Sequence, residues 1–299
     1  LALMRGSSIH AGMEETINIL QKDKDAFTEF LINKTYNDPD YMDSLKKTGM
    51  ALSDKFETDI MYAAKHNPES KGGPVNLQMA DIDAIRTNKE QIQNEIAKMG
   101  YGETGVFGKI NQLIKKEADR TGKSVREITK TVKLITEYKF KPMEIIKAGS
   151  GGQYAKNVPA ELKRSVELQL NRLKKELFEA GRKDEWKEFD QYIKKYGQRF
   201  SGQADMIAEI NGKASGLFDW KSGRSSRPED LQYALQSNIY ADMVNMEMGK
   251  GRPTPYGVFG GRQRGAVVEE FAGLDYIEQK MSDTDATGKK VGRVLRGDE

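Results

Sequence analysis

With 299 residues, no cysteine and only two histidines, His10 and His66, the chain excludes disulfide and thiolate chemistry, cysteine-based zinc sites and multi-histidine metal sites. Any metal ion it takes must be held mainly by oxygen, which favours Mg²⁺ or Mn²⁺. Charged residues make up 31% of the chain but sum to only +3, so a polyanionic partner is permitted and not demanded. No apolar run is long enough to cross a bilayer.

The chain opens on Leu1 rather than Met, which suits a processed product or a segment of a longer polypeptide, and it carries no apolar stretch of signal-peptide length. From Ser8 to about Asn33, Ile9, Met13, Ile17 and Leu20 recur at helical spacing, with Ser7 or Ser8 as the N-cap. Residues 41–66 continue as helix until Asn67-Pro68 and Gly72-Gly73-Pro74 break the pattern, and 78–98 is a further helix ended by Gly100 and Gly102. Gly105 to Phe140 reads as two shorter helices hinged at Thr121-Gly122-Lys123-Ser124, with Ser124 as the cap. After Ser150-Gly151-Gly152, Pro159 opens a charged helix to about Ala180 with Leu162, Val166, Leu170, Leu173 and Leu177 on one face. A second helical stretch carries Trp186, Phe189, Tyr192 and Ile193, and core packing is the expected role of both stripes.

Beyond Gly197 the period changes. Arg199 to Ile210 alternates, Asn211-Gly212 is a strong hairpin signal, and Ala214 to Lys221 is the returning strand. Residues 229–248 revert to helix, with Leu231, Leu235, Ile239 and Met243 in register, and Pro255–Phe259 and Gly265–Phe271 read as two more strands. The outline is α/β, with a mostly helical half ahead of a compact hairpin, helix and strand-pair unit.

The hairpin carries the chemistry. Side chains alternate along a strand, so Asp219 and Lys221 share one face and Trp220 takes the other, while Asp205 on the partner strand can reach the first face. Two carboxylates can hold a divalent cation, with the Trp220 carbonyl as an extra ligand, and such a cation polarises a phosphodiester and lowers the pKa of a bound water. The lysine can orient or deprotonate that water or neutralise developing charge. Asp-x-Lys alone is also what a surface salt-bridge ladder looks like. The apolar Leu217-Phe218 ahead of Asp219, and Gln236 with Tyr240 four residues on in the next helix, favour a site.

Gly202-x-x-Asp205, the hairpin, Asp219-x-Lys221 and then Gln236-x-x-x-Tyr240 together resemble the RecB-like branch of the PD-(D/E)XK nucleases. The run Ala234 to Ala241 is similar to phage exonucleases and the mitochondrial genome maintenance exonuclease group. Gly6-Ser7-Ser8-Ile9-His10 matches that branch's upstream Gly-x-x-x-His. The resemblance implies a mixed sheet flanked by helices, a restriction-endonuclease-like core with a large helical N-terminal elaboration. It implies His10, Asp205 and Asp219 as ligands of Mg²⁺ or Mn²⁺, Lys221 as the catalytic lysine, and Gln236 and Tyr240 lining the substrate groove. The expected organisation is 1–20 as a core helix, 21–195 as the elaboration, 196–280 as the catalytic core and 281–299 as a basic tail.

Arg224 and Arg227, in the loop after the catalytic strand, are expected to contact the phosphates of single- or double-stranded DNA, with Lys250, Arg252, Arg262 and Arg264 nearby. Lys289, Lys290, Arg293 and Arg296 in the tail, and Glu14, Glu188, Asp242 and Glu247 on helices, are expected to be solvated surface. The implied function is a DNA exonuclease or end-processing enzyme of phage or recombination machinery, with protein partners there and a cytoplasmic setting. The rival is a non-catalytic DNA-binding or virion component that keeps the fold.

Overall fold

A computed structural model describes residues 2–48, 93–94, 96–221, 230–262 and 265–283. The helix expected over 49–66, most of the one expected over 78–98, Arg224, Arg227 and the tail beyond 283 lie outside the described residues. The chain is mixed α/β. In chain order it forms α1 (Ala2–Gln21), α2 (Lys24–Ile32), a 3₁₀ turn (Thr35–Asn37), α3 (Pro39–Thr48), α4 (Val106–Thr121), α5 (Val125–Thr129) and β1 (Lys133–Ile146). Next come α6 (Ala160–Glu179), α7 (Lys183–Tyr196), β2 (Gln198–Ile210), β3 (Lys213–Lys221), α8 (Leu231–Met248), β4 (Thr254–Arg262), β5 (Gly265–Glu270) and α9 (Leu274–Asp283). The five strands make one sheet in the order β1-β2-β3-β4-β5. The chain divides into two compact units, one of Leu1–Glu137, Asp205–Ser226 and Gly257–Glu269, the other of Tyr138–Ala204, Arg227–Tyr256 and Glu270–Glu299. Each unit therefore draws on segments far apart in sequence.

In the first unit, the helix predicted from Ser8 to Asn33 is two helices. Asp23 interrupts it with an extended backbone and accepts from the amides of Asp25 and Ala26, each at 3.0 Å, which caps α2. The start also differs: α1 begins at Ala2, so Ser7 and Ser8 lie inside it rather than at its cap. The hinge before α5 is as predicted, with Ser124 and Glu127 forming a reciprocal capping box. The segment after α5 is a strand where a helix is predicted. Lys133–Ile146 is β1, because only Leu134, Phe140, Ile145 and Ile146 of this polar stretch find burial, at positions no single helix face would align. The core gathers Phe30, Tyr36 and Phe107, with Phe30 and Phe107 edge-to-face at 5.0 Å between ring centres.

The hairpin forms where Asn211-Gly212 predicts it. Both residues have positive φ, 52° and 75°, as a two-residue type I′ turn requires. Met206 faces Phe218 and Ile207 faces Leu217 across antiparallel strands, with a bulge at Ala208/Glu209 near the tip. Helices α1 and α4 pack on β3. Gly216 allows the approach of α4, since a Cβ there would fall 3.0 Å from the Leu113 side chain and 2.8 Å from the Phe218 ring. The tip is tied down as well. Glu117 of α4 accepts from Asn211 Nδ2 at 2.8 Å and from Arg120 at 2.6 and 2.7 Å, and the Asn211 amide donates to Thr131 Oγ1 at 2.8 Å.

In the second unit α8 packs on α6, and α9 packs on both. Asp242, expected at the surface, is 3% exposed. It accepts from Arg252 Nε at 2.5 Å and Ser165 Oγ at 3.4 Å, while Arg252 also donates to Asn238 at 2.8 Å. Arg252 is thus engaged with a buried acid. Glu247, also expected to be solvated, accepts from Tyr138 Oη at 3.1 Å and the Lys141 amide at 3.2 Å. In α7 only Ile193 is buried, so the aromatic stripe predicted as core is mostly not core.

The Arg120 and Asn211 hydrogen bonds hold the Glu117 carboxyl down to about 2. A depressed folded-state pKa adds stability that is complete above the ordinary carboxylate range and lost as pH falls towards 2. Glu117→Gln is expected to cost about 1–3 kcal/mol at pH 7 in urea denaturation, with the deficit shrinking between pH 4.5 and pH 2. A deficit independent of pH would show that the charge of Glu117 does not brace the hairpin.

Candidate functional site

The hairpin register carries Asp205 opposite Asp219, one step beyond the Met206–Phe218 pair. Residues opposed in an antiparallel pair point to the same face, so the two carboxyls stand side by side. Asp205 is buried and Asp219 half-buried. Lys221, two residues along on that face, donates to Asp219 Oδ2 at 2.5 Å. Trp220 turns its ring to the opposite, buried side and donates its amide to Asp205 Oδ2 at 2.6 Å. The sequence predicts a role for the Trp220 carbonyl; the hydrogen bond made here is the amide's.

His10 joins from α1, although 195 positions separate it from Asp205 in the chain. The helix lies on the core through Ile9, Met13 and Ile17, which leaves His10 part-exposed on the adjoining face, with Nδ1 3.1 Å from Asp205 Oδ1. The far end of α1 is anchored to β1: the Gln21 side chain donates to the Leu134 carbonyl at 2.9 Å and accepts from its amide at 2.8 Å. This pairing fixes α1 beside β1, three residues before Glu137.

Glu137 is the residue that sequence reasoning misses. One ligand atom from each of His10, Glu137 and Asp205 lies within 4.8 Å of the others. Glu137 has φ of 50°, a left-handed conformation that is costly for a residue with a side chain, in the middle of a strand. No motif marks it, and it falls where a helix is predicted. The β-branched Ile135 and Thr136 before it are the only sequence signal.

The electrostatics reflect the crowding. Burial, and then the neighbouring charge of Asp205, push the Asp219 carboxyl up to about 7, against the opposing pull of Lys221. Burial alone would lower His10, but its hydrogen bond to Asp205 and the charges of Asp205, Glu137 and Asp219 outweigh it and raise the imidazole above its ordinary value. Three carboxyls and an imidazole around one lysine form a donor set short of positive charge. Among the described residues, His10, Glu137 and Asp205 are the donors close enough to share one ion, and their oxygen-rich chemistry fits a divalent cation of the Mg²⁺ or Mn²⁺ type.

Gln236 and Tyr240 belong to the second unit. They face each other as their spacing predicts, with Gln236 Nε2 donating to Tyr240 Oη at 3.1 Å and Phe140 beside the tyrosine at 5.3 Å between ring centres. Gly202 is glycine for this tyrosine, because a Cβ there would overlap its hydroxyl. Arg224 and Arg227 lie outside the described residues. Glu188 is exposed on α7, as expected. Among the described residues no helix is long and apolar enough to cross a membrane.

Compared with protein-family models, with curated proteins and with solved structures, the chain finds no match.

A carboxyl raised to about 7 disfavours the folded state at higher pH: the cost is complete above 7 and fades as pH falls towards the ordinary carboxylate range. Asp219→Asn keeps an acceptor for Lys221 and removes the charge. In metal-free protein it is expected to raise stability by about 1–3 kcal/mol at pH 8 and to leave it nearly unchanged at pH 4, measured by urea denaturation. A variant no more stable than the wild type at pH 8 would show that Lys221 fully offsets the buried charge.

Proposed function

We propose that the chain is a metal-dependent DNA nuclease built on a PD-(D/E)XK core, acting as an exonuclease or on DNA ends. The observation that carries this reading is His10: a residue implicated only through a five-residue match at the start of the chain has its Nδ1 3.1 Å from Asp205 Oδ1. A surface salt-bridge ladder would not recruit an imidazole from a distant helix, nor bury the carboxylate it meets.

In this reading His10, Glu137 and Asp205 hold Mg²⁺ or Mn²⁺, with Asp219, the ligand that the resemblance implies, beside Asp205. A cation held there would polarise the scissile phosphodiester and lower the pKa of a water. The protein's own groups do the rest. Trp220 fixes Asp205 through its amide and leaves the other oxygen to His10. Lys221, which meets Asp219 Oδ2, is proposed to offset charge building on the phosphorane-like transition state. Arg224, Arg227, Gln236 and Tyr240 are proposed to contact the DNA backbone, as the resemblance implies.

The test is degradation of linear single- and double-stranded DNA in Mn²⁺, with closed circular DNA as the control for end dependence. Wild-type protein is expected to degrade the linear forms. Asp219→Ala and Lys221→Ala are each expected to lose activity by about 100-fold or more. Protein that is inert on all three substrates, and whose melting temperature metal does not raise, overturns the reading; cutting of closed circles removes the exonuclease part of it.

A further inference from the structure

The stripe along α7 has an orientation that core packing does not explain. At about 100° per residue, Trp186, Phe189, Tyr192 and Tyr196 fall within an arc of about 120°. The rings adjoin in pairs, Trp186 with Phe189 at 5.9 Å and Tyr192 with Tyr196 at 4.8 Å between centres. Yet Tyr192 is 58% and Tyr196 55% exposed, and Phe178 at the end of α6 is 39% exposed. Trp186 and Phe189 are half-buried, but isolated exposed rings are ordinary and two adjoining ones on a single helix face, Tyr192 and Tyr196, are not.

Lysines attend these rings. Lys174 stands 5.6 Å from the Phe178 ring centre and 5.8 Å from that of Trp186, Lys183 5.6 Å from Phe178, and Lys195 4.9 Å from Tyr196. The acids of α7 are already matched locally: Asp184 with Lys187 at 2.8 Å, Glu185 with Arg182 at 2.5 Å and Asp190 with Lys194 at 2.6 Å. Glu188 is the α7 acid outside these pairs. Among the described residues Lys174, Lys183 and Lys195 form no ion pair, and their long, flexible stems let them leave a ring face for an anion close by.

We propose that the face made by α7 and the end of α6 binds single-stranded DNA, with bases stacking on Tyr192, Tyr196 and Phe178 and phosphates drawn to Lys174, Lys183 and Lys195. Flat π-faces interleaved with mobile cations suit an unpaired strand, whose bases are free to stack and whose phosphates repeat between them. A duplex hides its base faces and would use the lysines alone. A protein partner would be met better by rings without cations over them. The choice of DNA among single strands rests on the nuclease reading above; the stacking chemistry does not.

The test is fluorescence anisotropy of a labelled oligothymidylate and of a blunt duplex of equal length, with the full chain in EDTA so that cleavage plays no part. Wild-type protein is expected to bind the single strand more tightly than the duplex. Tyr192→Ala/Tyr196→Ala removes only exposed side chains and is expected to weaken single-strand binding at least tenfold while leaving duplex binding unchanged. Lys174→Gln/Lys183→Gln/Lys195→Gln is expected to flatten the salt dependence of single-strand binding, by about two in the log–log slope for three phosphate contacts. Single-strand binding that survives the tyrosine substitutions overturns the proposal. So does wild-type protein that ignores the oligothymidylate, including the case where it self-associates through these tyrosines instead. Strand binding that depends on the tyrosines, in a protein that cleaves nothing in Mn²⁺, leaves this proposal standing and removes the nuclease reading.

Discussion

Two carboxyls side by side on a largely buried sheet face are costly, and much of the first unit is arranged around that cost. The antiparallel register across Asn211-Gly212 sets Asp205 opposite Asp219 and leaves no freedom to separate them. Each carboxyl is then given partners. Asp205 receives the Trp220 amide on one oxygen and His10 on the other, and Asp219 receives Lys221. These partners lessen the repulsion without removing it, since Asp219 remains well above the usual carboxylate range. A fold built for stability alone would place an apolar pair here. Retaining mutually repelling acids makes chemical sense if a further positive charge is to sit among them.

The register in turn depends on contacts at the ends of the elements. At the tip of the hairpin, Glu117 and Thr131 hold Asn211 by side chain and backbone. At the far end of α1, the Gln21 amide pairs with the backbone of Leu134 much as another strand would. These ties join α1, α4, β1 and the hairpin, so that His10, Glu137 and Asp205, drawn from three separated parts of the chain, come within reach of one another. The left-handed backbone at Glu137 is a local cost that the surrounding strand sustains, of the kind that collects at functional sites.

Sequence reasoning recovers the elements whose signals are local. The Asn-Gly turn, the Ser124 cap and the Pro159 start of α6 all rest on backbone chemistry confined to a few residues. It fails where burial is decided by distant partners. Lys133–Ile146 is polar and lysine-rich, so its period is weak, and it becomes a strand through a sheet whose other members lie beyond residue 197. Asp242 looks like helix surface because nothing nearby in sequence announces Arg252 and Ser165 around it. The α7 aromatics look like core because hydrophobic periodicity does not say whether a face meets another element. For the site, the spacing within the hairpin is legible as strand alternation, and His10 is legible only through resemblance. Glu137 is legible only through the β-branched Ile135 and Thr136 before it, since its role depends on a strand that the sequence otherwise does not announce.

The central claim is that these acids and His10 form one cation site, and direct titration of Mn²⁺ into metal-free protein addresses it without reference to any substrate. One Mn²⁺ per chain is predicted, with binding weakened at least tenfold in His10→Ala and abolished in Asp205→Asn. Wild-type protein that takes up no Mn²⁺, or variants that bind it as the wild type does, would contradict the claim.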